Sequence, residues 1–233
     1  MTKLIAQMVA RDEADRYLEE VLKDLLLYVD EIVVTDDCST DSTFELASNY
    51  TDMIYRTSEQ LFCKNEGQLR QEAWQNLSYI AKDGDWILAV DADEIIWSTI
   101  RTIRHIITVA QHDVIGLDFI NMWNDTQYRV DKFWKPMTCS KLFRYRENGL
   151  IQDKKLACGS EPTYVANEIK HGRWHPNFGL KIQHWGYARD EDKIAKYNRY
   201  MEIDGGRYHS GAHLASIMDK EVQLVDWDFE RLI

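Results

Sequence analysis

Apolar residues follow two alternating rhythms along the first 110 positions. Leu4–Ala10 is a short apolar run of the kind a buried strand makes. Ala14, Tyr17, Leu18, Val21, Leu22, Leu25, Leu26 and Val29 then recur at helical spacing as one unbroken stripe. Glu31–Thr35 predicts a second strand closing on Asp36 and Asp37, and Ser39, Thr40 and Asp41 offer cap side chains for a short helix through Ala47. Met53–Tyr55 predicts a small edge strand. Leu69, Ala73, Leu77 and Ile80 mark another helix, followed by Gly84 and an apolar strand, Trp86–Val90, that stops at Asp91. Ile96, Ile100, Ile103, Ile107 and Ala110 form the next helical stripe, with Glu94 expected at the helix start. This alternation predicts an α/β fold with a parallel sheet wrapped by helices.

The rhythm changes beyond residue 110. Val114–Phe119 and Ser140–Tyr145 read as strands separated by the aromatic, polar stretch Trp123–Lys135, and residues 146–180 read as irregular. Lys181–Tyr187 predicts a last strand. A helix starts at Asp190 or Glu191, with Ile194, Tyr197, Asn198 and Met201 on one face; a loop from Gly205 and a helix near Ala212–Asp219 complete the chain. No repeat or low-complexity linker divides the sequence. Residues 1–233 therefore read as a single domain, in which 111–233 extends the sheet of 1–110 and builds the second wall of a cleft.

The net charge of -11 and a pI near 5.1 oppose nucleic acid as a partner, because phosphate binding draws on clustered Lys and Arg. A local basic groove stays compatible with that balance. No apolar stretch reaches the ~18 residues of a membrane helix, and Met1-Thr2-Lys3 leads straight into a strand. Cys38, Cys63, Cys139 and Cys158 are scattered with no Cys-x-x-Cys, which suits a reducing compartment. The expectation is a soluble cytoplasmic protein, with peripheral association at a membrane surface left open.

Candidate chemistry gathers where strands end. Arg11-Asp12-Glu13, Asp36-Asp37 and Asp91-Ala92-Asp93 each follow a predicted parallel strand, and ligands of such sheets sit beyond those carboxyl ends. Alternate residues of an extended chain face one way, so Asp91 and Asp93 point together at one cation. Hard oxygen ligands suit Mg²⁺ or Mn²⁺, which in turn hold phosphate oxygens. An isolated Asp-X-Asp is common by chance and often only caps a helix. Three acidic clusters at one sheet edge carry more weight than any one of them.

Met8–Asp15 (MVARDEAD) and Asp30–Asp41 (DEIVVTDDCSTD), with the spacing to Val90–Glu94 (VDADE), resemble family 2 glycosyltransferases, whose motifs run N-E-A and D-D-x-S-T-D. Lys141–Arg144 and Gln183–Tyr200 match more loosely. The resemblance implies a GT-A fold and a nucleotide-diphosphate sugar donor, with uridine the commonest base among relatives. It also implies Mn²⁺ or Mg²⁺ and inverting transfer to an acceptor hydroxyl on a glycan, lipid-linked sugar or other molecule. Residues 1–110 become the nucleotide-sugar half and 111–233 the acceptor side. Asp37 would accept hydrogen bonds from the base, with Ala10, Arg11 and Glu13 lining its pocket. Asn65, Gly67 and Arg70 would meet the donor at the next helix. Asp91 and Ala92 would contact ribose or sugar, Asp93 would hold the metal, and Asp91 and His184 would join or complete that site. Glu161, in Cys158-Gly159-Ser160-Glu161-Pro162, would be the base, although this departs from the usual E-D or H-E context; Glu168, Asp153 and Asp131 are alternatives. Trp123, Trp134, Trp174 and Trp185 offer flat faces for an acceptor sugar, with Arg129, Asp131 and Arg144 beside them. Lys193, Lys196 and Arg199 either reach the diphosphate or coat a helix face. Cys38 replaces the glycine usual in D-D-G-S-T-D.

Three rivals remain at this level. A sugar-1-phosphate nucleotidyltransferase wants a Gly-rich phosphate loop after the first strand, where Arg11-Asp12-Glu13 has no glycine. A phosphatase with an Asp-X-Asp nucleophile carries Gly-Thr after the second Asp, whereas Glu94-Ile95 follows here. A catalytically silent sugar-nucleotide or glycan-binding module would share every donor-side residue and lack only the base.

Overall fold

A computed structural model describes residues 2–98, 100–155, 159–176, 178–205 and 211–228; Cys158 and most of the loop expected after Gly205 lie outside them. The first half alternates as its sequence predicts: β1 (Leu4–Ala10), α1 (Leu18–Leu25), β2 (Glu31–Asp36), α2 (Thr43–Ser48), β3 (Ile54–Arg56), α3 (Glu66–Leu77) and β4 (Trp86–Asp91). Then come β5 (Glu94–Trp97), α4 (Ile100–Val109), β6 (Val114–Asn121), β7 (Gln127–Arg129) and β8 (Met137–Arg144). The chain continues with α5 (Thr163–Lys170), β9 (Lys181–His184), α6 (Asp190–Asp204), α7 (Gly211–Ser216) and β10 (Leu224–Asp226).

Eight strands form one mixed sheet in the order β3-β2-β1-β4-β8-β6-β9-β5. β1, β2, β3 and β4 run parallel, and both faces of their centre are covered, which is why they read as continuous apolar runs. Leu4, Ala6, Met8, Trp86, Leu88 and Val90 join one core with Leu18, Val21, Leu22 and Leu25 of α1. Ile5, Val33, Ile87 and Ala89 point to the other face, against Trp74 and Leu77 of α3 and Val165 of α5.

The sheet has to curl. Only Ala92 and Asp93 separate β4 from β5, yet three strands lie between them in the sheet order. Three residues of extended chain reach at most ~11 Å, whereas four strand spacings in a flat sheet cover ~19 Å. Curling returns β5 to the end of β4 and wraps the sheet around the Asp91–Glu94 turn.

Four expectations are corrected. Glu94 and Ile96 belong to strand β5, antiparallel to β9, and the helix starts only at Ile100. The stretch read as irregular contains α5. A two-stranded sheet of β7 and β10 was not expected. The last strand stops at His184 rather than Tyr187.

Candidate active site

Parallel pairing explains why distant acidic residues meet. Ala10 pairs with Asp36 and Val9 with Asp91, so the loops after β1, β2 and β4 leave one edge of the sheet together. The first two are laced to each other. Arg11 Nη1 donates to the carbonyls of Asp37 and Cys38 (2.7 and 2.6 Å), the Thr40 N–H donates to Asp12 Oδ1 (2.6 Å), and the Glu13 N–H donates to Thr43 Oγ1 (2.7 Å). Cys38 has φ 57°, a left-handed backbone that glycine takes at no steric cost. That is a physical reason for glycine being usual at this position.

These loops border a cleft of about 360 Å³ shared by Ala10, Arg11, Glu13, Asp37, Arg70, Asp91, Ala92, Asp93 and His184. Asp37 is fully buried at its back: Oδ1 accepts the Leu61 N–H (2.7 Å) and Oδ2 the Phe62 N–H (3.0 Å). Burial pushes its carboxyl up, against the pull of those two bonds. Asp37 thus shapes the turn that presents Gln60 and Phe62 to the cleft. Two expected donor contacts are not cleft residues. Asn65 caps α3 by accepting the Gln68 N–H (3.1 Å), and Gly67 lies against backbone, since a Cβ there would meet Gln152 O and Lys154 N at 2.7 Å. Gly67 permits close approach of the protein's own chain, not of a ligand. Arg70, one turn further, does border the cleft, with Nη1 3.5 Å from Asp91 Oδ1.

In the turn after β4, the two carboxylates of Asp91-Ala92-Asp93 diverge. Asp91 faces Lys141 (3.1 Å) and Arg70, whose charges outweigh burial and hold its carboxyl below the ordinary range. Glu94 is buried, accepts the Asp91 N–H (3.0 Å) and meets Lys141 Nζ at 2.6 Å; burial pushes its carboxyl up. Asp93 turns the other way. Its Oδ2 lies 3.4 Å from His184 Nε2 and 3.6 Å from Lys196 Nζ. Burial opposes its charge, yet the Lys196 ammonium and the Arg16 guanidinium around it hold its carboxyl well below the usual range.

His184 arrives through strand pairing: it faces Glu94 across β5–β9 and Asn121 across β6–β9. Burial and the Lys196 ammonium both disfavour the imidazolium. The neutral ring donates Nδ1–H to Asn121 Oδ1 (2.7 Å), leaving the Nε2 lone pair to accept from the Lys196 ammonium (3.1 Å). Gly186 keeps this corner open, since a Cβ there would collide with Lys196 Nζ, Asp93 Oδ2 and His184 Nε2. Among the described residues no three His, Cys, Asp or Glu side chains are grouped to hold a metal. The Asp93–His184 pair nevertheless offers a carboxylate oxygen and an oriented imidazole nitrogen of the kind a Mg²⁺ or Mn²⁺ ion takes, with the Lys196 ammonium now standing beside both.

Glu161 is not a cleft residue. It lines an adjoining pocket with Ser140, Ile151 and Gln152, its Oε1 3.4 Å from Ser140 Oγ, and its charge acts on Arg70. The aromatic acceptor platform does not form as expected. Trp123 and Trp134 are buried over Arg129, which is itself fully buried and pairs with Asp131 (2.5 Å) and Asp219 (2.8 Å). Trp174 and Trp185 pack against the two main cores, and Arg144 pairs with Asp113 beside Trp86. Of the basic residues on α6, Lys196 and Arg199 reach the cleft, whereas Lys193 lies over Trp123. Sequence reasoning missed Arg16, Phe62, Asn121 and Lys141. Only Arg16, three residues after Glu13 and bonded to it at 2.7 Å, carried a local signal.

Residues 8–154 match the model of the family described as glycosyl transferase family 2. This chain belongs to glycosyl transferase family 2. It is 27% identical over 247 aligned residues to the uncharacterized proteins Rv3786c of Mycobacterium tuberculosis and Mb3815c of Mycobacterium bovis. Those alignments cover 98% of the chain and 59% of each relative, so the family 2 chain spans about three-fifths of their length. Its fold resembles that of S. aureus TarS 1-349 in complex with UDP, with TM-score 0.53, 16% identity and coverage of 93% and 69%. A more partial likeness, TM-score 0.37 and 18% identity over 51% and 44%, links it to M. tuberculosis glucosyl-3-phosphoglycerate synthase with Mn²⁺ and UDP-glucose. The mixed, curled sheet of this family 2 chain is the GT-A fold. No helix among its described residues is long and apolar enough to cross a membrane.

Proposed function

We propose that this domain transfers a glycosyl group from a nucleotide-diphosphate sugar to an acceptor hydroxyl with inversion. The observation that carries the reading is the single cleft shared by Asp37, Asp93 and His184 with the cations Arg16, Arg70, Lys196 and Arg199. The base end lies at Asp37, Gln60 and Phe62, and the diphosphate end at Arg70, Lys196 and Arg199. Uridine is the proposed base, in keeping with the UDP held by TarS. Asp93 and His184 would hold Mn²⁺ or Mg²⁺, with Asp91 kept on the sugar side by Lys141 and Arg70. When bound, the divalent ion neutralises charge on the departing diphosphate. Glu161, across Arg70 in its own pocket, takes the acceptor proton as the acceptor oxygen attacks the anomeric carbon. Its place outside the donor cleft is also what favours the second reading, a silent nucleotide-sugar-binding module.

Incubation with a panel of nucleotide sugars and Mn²⁺ tests both readings. Slow release of nucleoside diphosphate is expected from the wild type. Asp93→Ala should abolish metal-dependent donor binding without unfolding the chain, and Glu161→Gln should keep donor binding while losing turnover. Unchanged thermal stabilisation of Asp93→Ala by UDP plus Mn²⁺ would refute the assignment. Binding by the wild type without turnover of any donor would leave the silent module.

A further inference from the structure

Lys196 raises a question that the proposed function does not answer. Its ammonium stands 3.1 Å from His184 Nε2 and 3.6 Å from Asp93 Oδ2, the two atoms assigned above to a divalent ion. The arrangement is built. Asn121 turns the Nε2 lone pair toward the ammonium, Gly186 leaves the room it occupies, and Nζ lies 4.5 Å from the centre of the Tyr187 ring. The side chain comes from the buried face of α6, with only 12% of it exposed. One cation, supplied by the chain itself, thus sits on the donor pair of another.

We propose that Lys196 is an exchangeable internal cation: it holds the Asp93–His184 pair until a nucleoside diphosphate and a divalent ion arrive together, and then moves to the diphosphate. This rests on the metal assignment in the proposed function. An ammonium and a dication cannot share one carboxylate oxygen and one imidazole lone pair at contact distance. A metal arriving alone would push Lys196 into a cleft already holding Arg16, Arg70 and Arg199. A diphosphate in the same cleft gives the displaced ammonium a partner. Metal binding is therefore conditional on nucleotide, and by linkage the coupling is reciprocal.

The test is Mn²⁺ binding to the whole chain, followed by the loss of the free-ion EPR signal with and without UDP. Wild type should bind Mn²⁺ weakly alone and much more tightly with UDP. Lys196→Met and Lys196→Gln should each bind Mn²⁺ alone about 5–150-fold more tightly than wild type, the range of ordinary couplings, and gain less from UDP. The pair of variants guards against one of them failing to fold. Lys193→Met, one turn earlier on α6 and outside the cleft, should match wild type. Unchanged or weaker Mn²⁺ binding in both Lys196 variants overturns the proposal, as does equal tightening in Lys193→Met, which would make the effect mere through-space charge. Asp93→Asn separates the two levels. If it keeps wild-type Mn²⁺ binding with UDP, the metal assignment fails and takes this proposal with it. If it loses Mn²⁺ while the Lys196 variants resemble wild type, only the exchange fails.

Discussion

Replacing Lys141 with methionine removes the ammonium shared by the Asp91 and Glu94 carboxylates. Lys141 Nζ lies 2.6 Å from both Glu94 oxygens and 3.1 Å from Asp91 Oδ2, and Glu94 is only 1% exposed. Methionine keeps most of the stem volume, so the change is mainly one of charge. At 2.6 Å and an effective dielectric near 20, the attraction to Glu94 alone is about 6 kcal/mol. Against this, the variant no longer strips water from an ammonium, a cost of several kcal/mol. Breaking a buried pair on one side costs about 3–5 kcal/mol in practice. Glu94, already pushed up by burial, takes a proton in the variant and brings the loss to the lower end, about 3 kcal/mol. Adding Glu94→Gln should recover at least about half of it, since the amide is neutral and its oxygen still accepts the Asp91 N–H. Urea unfolding at pH 7, read as a shift in midpoint at constant slope, measures both steps. A loss below about 1 kcal/mol in Lys141→Met, or a double variant no more stable than the single, would refute the account of this trio.

Gly67→Ala should destabilise by about 1–3 kcal/mol, because the new methyl meets backbone at Gln152 and Lys154 rather than a side chain that can move aside; an unchanged melting temperature would show that α3 shifts freely. Asn121→Ala should weaken Mn²⁺ binding in the presence of UDP by about 10–100-fold, as loss of an orienting partner does at metal sites. UDP binding in EDTA should not change in that variant, and equal losses with and without metal would mean that Asn121 supports the fold instead.

The elements that showed in the sequence are those whose partners are near in the chain. β1, α1, β2, α2, β3, α3 and β4 alternate in order, and their buried parallel strands leave continuous apolar runs. β5 did not show, for a definite reason. Ile96 continues the spacing of Ile100, Ile103 and Ile107, so four residues of strand pass for the first turn of the helix behind them. Only pairing with β9, far along the chain, makes Glu94–Trp97 a strand. The same long-range pairing brings His184 to Asp93, so the site inherits that blind spot. Asp91 and Asp93 share a face on paper, but Lys141 of β8 and His184 of β9 pull them apart, and neither partner has a local signature. Arg129 illustrates the opposite error. Beside two tryptophans it reads as an acceptor contact, whereas Asp131, Asp219 and the Ser216 carbonyl hold it inside the core.

The charge balance of the cleft bears on how an acidic protein admits an anionic donor. Among the described residues its walls carry Arg11, Arg16, Arg70, Lys196 and Arg199 against Asp12, Glu13, Asp37, Asp91 and Asp93. Most of the cations are already committed. Arg16 pairs with Glu13 (2.7 Å) and with Asp192 of α6 (3.1 Å), Arg70 with Asp91, and Lys196 with Asp93. A diphosphate entering alone would have to compete with those internal carboxylates for most of the ammonium and guanidinium groups it meets. A dication taking over Asp93 would change the terms, because it would release Lys196 and cancel the charge that the diphosphate brings. Local neutrality, rather than a standing positive field, would then govern admission, and on the proposed exchange it would select the metal–nucleotide complex over either component. The Arg16 bridge gives that selection a mechanical side. It ties the loop after β1 to the first turn of α6, the helix that carries Lys196.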